Sequence, residues 1–112
     1  MQAKEMDLQC YRGQTWVKDL YLKYKATGQP LDLTGVVVKS QIRPWQNSTT
    51  LSAEMTATVY PANGMVTLEL SAEQTSKLSP KVYQYDVKLT DANDNVIYCI
   101  FGKFTVIGRV TV

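Results

Sequence analysis

Apolar and polar residues alternate along most of this chain, and a period of two is the pattern of half-buried β-strands. Between positions 15 and 25 most large apolar side chains fall on even positions, so the even face is predicted to point inward. Six further segments alternate similarly, which gives seven predicted strands. Their inward-facing residues are predicted to be Met6, Leu8, Cys10, Trp16, Lys18, Leu20, Leu22, Tyr24, Val36, Val38, Ser40, Ile42, Leu51, Ala53, Met55, Ala57, Val59, Val66, Leu68, Leu70, Tyr83, Tyr85, Val87, Leu89, Val96, Tyr98, Ile100, Phe104 and Val106.

Turn-forming residues separate these segments. Gly28 and Pro30 supply turn geometry before the link "LDLTG", and Pro44 removes a backbone donor and ends the following strand. The tetrapeptide "PANG" at 61–64 predicts a hairpin between the strands on either side. One short helix is expected in "SAEQTSKL" at 71–78, because Ser71 and Gln74 have the spacing of a capping box.

Seven strands with short connections favour an all-β fold, an antiparallel β-sandwich, over an α/β arrangement or a closed barrel. The short helical turn before a late strand is typical of immunoglobulin-like sandwiches. Tyr83, two residues before the inward-facing Tyr85, fits the tyrosine corner of such folds, in which the tyrosine hydroxyl bonds to upstream backbone. The alternative is that Tyr83 is only a large core residue. The 112 residues are predicted to form one domain, residues 1–112.

Composition and charge exclude several classes of function. The net charge is +2 and basic residues are dispersed, so no stripe is present that would neutralise a nucleic-acid backbone. The sequence has no run of 18 apolar residues and no apolar segment like the core of a signal peptide near its start. We therefore expect no membrane partner, and we expect the chain to be made in a cytosol and to stay there.

The chemistry-bearing residues do not form a catalytic pattern. The chain contains no histidine, and Asp91 and Asp94 lie in an Asn-rich turn where carboxylates ordinarily accept backbone hydrogen bonds. We therefore predict no catalytic residues, no cofactor and no metal. Cys10 is predicted on the inward side of the first strand and Cys99 on the outward side of the last, so no disulfide is expected.

The last predicted strand is apolar on both sides. Ile97, Cys99 and Phe101 occupy its outward positions, which predicts either an interface with another subunit or a face covered by the N-terminal segment or a loop. Trp45, beside Arg43 in the "RPWQNSTT" segment, is a second candidate contact. The alternative for Trp45 is a side chain folded over the end of the sandwich.

Five stretches, in the same order along the chain as in the family, carry a resemblance to a known family. They are "RGQTW" at 12–16, "PLDLTGVVVKSQIRP" at 30–44, "NGMVTLELSAEQTSKL" at 63–78, "YQYDVKLTD" at 83–91 and "GKFTV" at 102–106. Together they resemble the N-terminal domain of phage baseplate upper proteins and, more broadly, immunoglobulin-like modules of phage virions. The chain departs from the family where Lys81-Val82 and Asp94-Asn95 replace frequent glycines.

The resemblance implies a non-enzymatic phage or prophage virion protein, an adaptor in the tail or baseplate that docks on neighbouring virion proteins in several copies. Its location would be the virion, and the host cytoplasm during assembly. Since the family's domain usually continues into a helical linker, we expect either a fragment or a free-standing protein of the same fold. Val110 and Val112 are then candidates to pair with a neighbouring copy or to lead into a further domain.

Two alternatives remain beside the adaptor. One is a capsid decoration protein with the same fold. The other is a carbohydrate-binding module, in which Trp45 and Tyr60 with nearby polar loop residues would hold a glycan.

Overall fold

The fold consists almost entirely of β-strands in a computed structural model, which describes residues 3–111. The prediction of an all-β chain with one short helix is confirmed. The strands are β1 (Lys4–Glu5), β2 (Leu8–Tyr11), β3 (Trp16–Tyr21), β4 (Val37–Arg43), β5 (Ala53–Tyr60), β6 (Met65–Leu70), β7 (Lys81–Thr90) and β8 (Val96–Ile107), and the helix α1 spans Ala72–Ser76.

The strands form one curled sheet in the order β1-β8-β7-β4-β5-β6-β3, with β2 also pairing with β8. Strand β5 connects the two halves of the sheet. Its first residues, 53–55, pair with β4, whereas residues 56–60 pair with β6. The two halves therefore face each other across a shared core.

The prediction of a purely antiparallel sheet is wrong, because β1 and β2 both run parallel to β8. The single first strand that the alternation predicted is divided in two where Met6 and Asp7 cross above Gly102. At this crossing the Tyr85 hydroxyl donates to the Met6 carbonyl at 2.5 Å, and the Lys103 N–H donates to Asp7 Oδ1 at 3.1 Å. Side-chain alternation does not reveal strand direction, so the sequence pattern could not predict this.

Phe104 lies at the centre of the core and is fully buried. Its ring meets Trp16 of β3 edge to face at a centroid distance of 5.1 Å and Tyr85 of β7 at 6.4 Å. Phe104 thus joins the two halves of the curled sheet. Most of the predicted inward positions are buried or half-buried; the exposed exceptions are Lys18, Tyr24, Leu51, Val96 and Tyr98.

The predicted turn and helix signals are also confirmed. The "PANG" segment forms a 3₁₀ turn at Pro61–Asn63 between β5 and β6, closed by Gly64 in the left-handed region. At the start of α1 the Ser71 hydroxyl accepts from the Gln74 N–H at 3.1 Å, and Gln74 Oε1 accepts from the Ser71 N–H at 2.9 Å. Both halves of the capping box are therefore formed.

Tyr83 makes the upstream contact expected of a tyrosine corner. Its buried hydroxyl donates to the Ser79 carbonyl at 2.9 Å. Burial raises the pKa of this hydroxyl, which keeps it protonated as the donor. The hydrogen bond fixes the segment between α1 and β7, so Tyr83 is more than a space-filling core residue.

A β-bulge in β8 changes which side chains face the core. Val87 pairs with Ile100 and Lys88 pairs with Tyr98, so Cys99 is the extra residue between them. Tyr98, predicted inward, is therefore exposed, and Cys99, predicted outward, is buried. The outward prediction for Cys99 is wrong because a bulge reverses the side-chain alternation that the prediction extrapolated.

The two cysteines are free thiols buried in the core. Cys10 pairs with Val106 and so lies seven positions along β8 from Cys99, roughly 23 Å at about 3.3 Å per residue. Because this separation greatly exceeds disulfide geometry, the two thiols cannot join without unfolding.

Burial raises the pKa of Cys10 and of Cys99 to about 11. Because only the thiolate attacks a disulfide reagent, native protein at pH 8 should react with Ellman's reagent at least about 100-fold more slowly than unfolded protein. We expect two thiols to titrate rapidly only in denaturant. Single Cys10→Ala and Cys99→Ala variants serve as controls, and rapid native reaction of either thiol would contradict the buried placement.

Candidate functional site

The outward side chains of β4, β7 and β8 form a shallow concave surface, which we call the β4–β7–β8 face. Its volume is about 750 Å³. The strand register places its side chains in three rows that cross the strands. The rows are Arg43–Gln84–Lys103, Gln41–Asp86–Phe101 and Lys39–Lys88–Tyr98.

One end of this face is formed by the loop after β4. Arg43 holds the loop, because its guanidinium donates to the Ser48 carbonyl at 3.1 Å and to Gln41 Oε1 at 2.8 Å. Asn47 adopts a positive φ of 64°, and the Ser48 N–H donates to the Trp45 carbonyl at 3.2 Å. The turn leaves Trp45 with 62% of its surface exposed, so the alternative of a tryptophan folded over the end of the sheet is not what the structure has.

Three exposed aromatic rings surround the polar centre of the face. Trp45 lines one end, and Tyr98 and Phe101 of β8 line the side, with 51% and 43% of their surfaces exposed. Gln41, Gln84 and Asp86 lie between them. Rings on a rigid sheet supply contact area at low entropic cost, and the amides and the carboxylate supply directional hydrogen bonds.

The face carries more positive than negative charge. Its basic residues are Lys39, Arg43, Lys88 and Lys103, and its acidic residues are Glu5 and Asp86. Burial raises the pKa of Asp86, although Arg43 and Lys88 act in the opposite direction. The face therefore offers a half-buried carboxylate among surface cations.

The lining of the face contains no histidine, cysteine, serine or threonine. Its ionisable side chains are lysines, an arginine, tyrosines and two carboxylates. Within residues 3–111, no three His, Cys, Asp or Glu side chains come together as a metal site. Over the same range, no helix is long and apolar enough to cross a bilayer.

The structure brings three of the five predicted contact residues to this face, namely Phe101, Trp45 and Arg43. The other two, Ile97 and Cys99, do not lie there. Ile97 pairs with the buried Leu89 on the core side of the sheet end, and Cys99 is 2% exposed. The prediction that Ile97, Cys99 and Phe101 share one outward face is therefore wrong. The bulge at Cys99 puts Tyr98 beside Phe101 on the outward face.

The sequence did contain a signal for the residues that were missed on β7. Gln84, Asp86 and Lys88 alternate with the inward Tyr83, Tyr85 and Val87, so their outward direction follows from the period of two. Their meeting with Tyr98 and Trp45 depends on strand order, which the alternation does not contain.

The predicted turn carboxylates are structural. Asp91 Oδ1 accepts from the Asn93 and Asn95 N–H groups at 2.8 and 2.9 Å, and these bonds lower the pKa of Asp91. Asp94, rather than Asn95, adopts the positive φ of the turn, 63°. The expected capping role is therefore confirmed for Asp91.

The glycan alternative predicted Trp45 and Tyr60 together, and the structure separates them. Tyr60 ends β5 beside the 3₁₀ turn, whereas Trp45 lies near the beginning of β5. The seven positions from Ala53 to Tyr60 span roughly 23 Å. The two rings cannot hold the same sugar.

Comparisons with known proteins support the fold only. No protein-family model matches the chain, and no curated protein matches its sequence. The structure is similar to that of CopC from Methylosinus trichosporium OB3b, with a TM-score of 0.53 and 14% identity over 95% of this chain and 88% of that one. It is also similar to the GspB Siglec domain, with a TM-score of 0.55 and 16% identity over 92% of this chain and 54% of that chain. Function must therefore be argued from the surface of this protein.

Proposed function

We propose that this chain is a non-enzymatic docking module that binds a partner protein through the β4–β7–β8 face. The observation that carries the proposal is the grouping of Trp45, Tyr98 and Phe101 on one side of the sheet, around a polar centre that has Arg43 at one end. Tryptophan, tyrosine and arginine are the residues that most often dominate binding energy at protein interfaces. The mixed charges at the centre would select the partner and its orientation.

The specific form of the proposal is a virion protein, an adaptor that docks on neighbouring subunits of a phage tail or baseplate. Its support is the sequence resemblance over 12–106. The finer reading of the fold as an immunoglobulin-like module is supported by the Tyr83–Ser79 hydrogen bond, while the parallel β1 and β2 are a departure from that architecture. Assembly in several copies and a location in the virion belong to the same proposal.

Immunogold electron microscopy of purified particles tests the virion assignment. Antibody against this chain should label the tail tip if the protein is a baseplate adaptor. Label over the head would overturn the adaptor in favour of capsid decoration. No label on particles with an accessible epitope, together with absence of the chain from their mass spectrum, would overturn both.

Phe101→Asp is expected to weaken binding to the partner by at least about 100-fold, because it replaces an exposed anchor and places a second carboxylate opposite Asp86. The measurement is incorporation of the variant into particles made without the native chain. Tyr60→Asp is a matched control, since Tyr60 is equally exposed but lies away from the face. Equal incorporation of both variants would contradict the docking role of the face.

A carbohydrate ligand is the second candidate, favoured by one observation. Trp45, Tyr98 and Phe101 flank side-chain amides and a carboxylate, the combination that stacks on and hydrogen-bonds to a sugar. A glycan array separates the two candidates: binding that is lost on Trp45→Ala and retained on Tyr60→Ala would establish a glycan site. An array without signal would eliminate this candidate.

A further inference from the structure

A second concave surface lies where the two ends of the curled sheet approach each other, away from the β4–β7–β8 face. We call it the edge cleft. On one side is β3 with the two residues after it, and on the other are β1 and the first half of β8. The cleft has a volume of about 370 Å³ and is lined by Lys4, Met6, Lys18, Asp19, Leu20, Tyr21, Leu22, Lys23, Cys99 and Ile100.

Both sides of the edge cleft have unused backbone pairing capacity. Strand β3 pairs with β6 on one side, and β1 pairs with β8 on one side. They are the first and last strands of the sheet order, so in the described part of the chain neither has a strand on its other side. Open edges of this kind accept an extended segment as an additional strand.

Two lysines lie on the core-facing sides of these edge strands. Lys18 pairs across the ladder with the buried Leu68, and Lys4 pairs with the buried Ile100, yet both lysines are exposed. Neither forms an ion pair with a described residue. The side chain of Asp19 points to the opposite face of β3 from that of Lys18, and it accepts a hydrogen bond from the Thr67 hydroxyl at 2.8 Å. The cleft therefore presents cations above an apolar floor of Leu20, Leu22, Cys99 and Ile100.

We propose that the edge cleft binds an extended acidic segment of a partner protein, added as a strand beside β3. Its cleft-facing side chains would alternate an acid beside Lys18, an apolar residue over Leu20 and a second acid towards Lys4 on the other side of the cleft. The lining carries three lysines and one aspartate, so its charge complements an acidic segment. Two copies of the chain meeting cleft to cleft would bring like charges together, which makes a second copy a poor occupant.

Inward-pointing lysines on edge strands also protect proteins against nonspecific strand pairing. Protection and selective binding are compatible here, because a lysine that repels an apolar or basic strand attracts an acidic one. The pairing capacity gives affinity, and the lysines give the choice of partner.

The test uses the whole protein and a fluorescein-labelled heptapeptide, TETVTET, whose alternate residues would face the cleft. Fluorescence anisotropy should give saturable binding that weakens as salt is raised, while TKTVTKT should not bind. Lys18→Glu should lower the affinity at least tenfold, and Lys18→Met should lower it less because the side-chain stem remains. Lys39→Glu, an equivalent charge change on the β4–β7–β8 face, should leave the affinity within twofold.

A peptide with alternate backbone nitrogens methylated separates strand addition from simple charge attraction. It keeps both acids but cannot complete a ladder, so it should lose at least tenfold in affinity. Equal affinity of the methylated peptide would overturn strand addition. The absence of saturable TETVTET binding below about 1 mM would overturn the acidic ligand. A dimer in sedimentation that Lys18→Glu dissolves would assign the cleft to a second copy and overturn the proposal.

Discussion

Replacing Phe104 by alanine is expected to lower the free energy of unfolding by about 3–5 kcal/mol, the usual cost of deleting a buried phenylalanine ring. The ring is fully buried and touches the two halves of the curled sheet through Trp16 and Tyr85. Because these neighbours belong to β3 and β7, no single strand can move to fill the space. A domain of ordinary stability, roughly 5–15 kcal/mol, would lose a large part of it.

Urea unfolding followed by tryptophan fluorescence measures the effect of Phe104→Ala, since Trp16 is in direct contact with the deleted ring. Phe101→Ala is the matched control: it removes the same ring from the same strand at an exposed position, and its expected cost is below about 1 kcal/mol. Equal destabilisation by the two variants would contradict the central position of Phe104 in the core.

Much of this fold could be predicted from the alternation because one face of each strand is buried. The period of two correctly places Val38, Ile42, Val87 and Phe104 inside, and the capping box and the "PANG" turn are short-range signals that the structure confirms. Such features depend on neighbours in sequence, so the sequence pattern contains them.

The errors in strand direction and in the facing of β8 lie where a contact between distant segments decides the result. The bulge at Cys99 depends on how β8 pairs with β7, and the parallel direction of β1 and β2 depends on where the N-terminal segment meets β8. In the candidate site, too, some features follow from local sequence and others from contacts between distant segments. Single residues such as Trp45 and Phe101 could be selected from the sequence, but the polar residues between them come from three strands.

The crossing above Gly102 connects these long-range contacts to both proposed surfaces. Gly102 lines the β4–β7–β8 face, and the segment that crosses it carries Met6, which lines the edge cleft. A Cβ on residue 102 would lie 2.9 Å from the Met6 carbonyl carbon and closer still to its oxygen. Position 102 requires glycine because the backbones of residue 102 and Met6 approach each other too closely for a Cβ.

Gly102→Ala is therefore expected to displace the segment between β1 and β2 and to cost about 1–3 kcal/mol, the usual range for overpacking. The displacement would also remove the acceptor of the Tyr85 hydroxyl, a buried group whose pKa is raised by burial and which stays protonated. Urea unfolding gives the stability change, and amide exchange of residues 4–6 reports the loosening of β1. Gly108→Ala is the control, because a Cβ there has no contact nearer than 3.6 Å.

Tyr85→Phe completes the test as a double-mutant cycle. Alone, it leaves the Met6 carbonyl without its hydroxyl donor and should cost about 1 kcal/mol. In the Gly102→Ala background it should cost clearly less, since the hydrogen bond is already lost. Additive effects would mean that Gly102 acts independently of Met6. A non-additive pair with faster exchange of residues 4–6 would establish the crossing as the contact that anchors β1, the strand on which one side of the edge cleft depends.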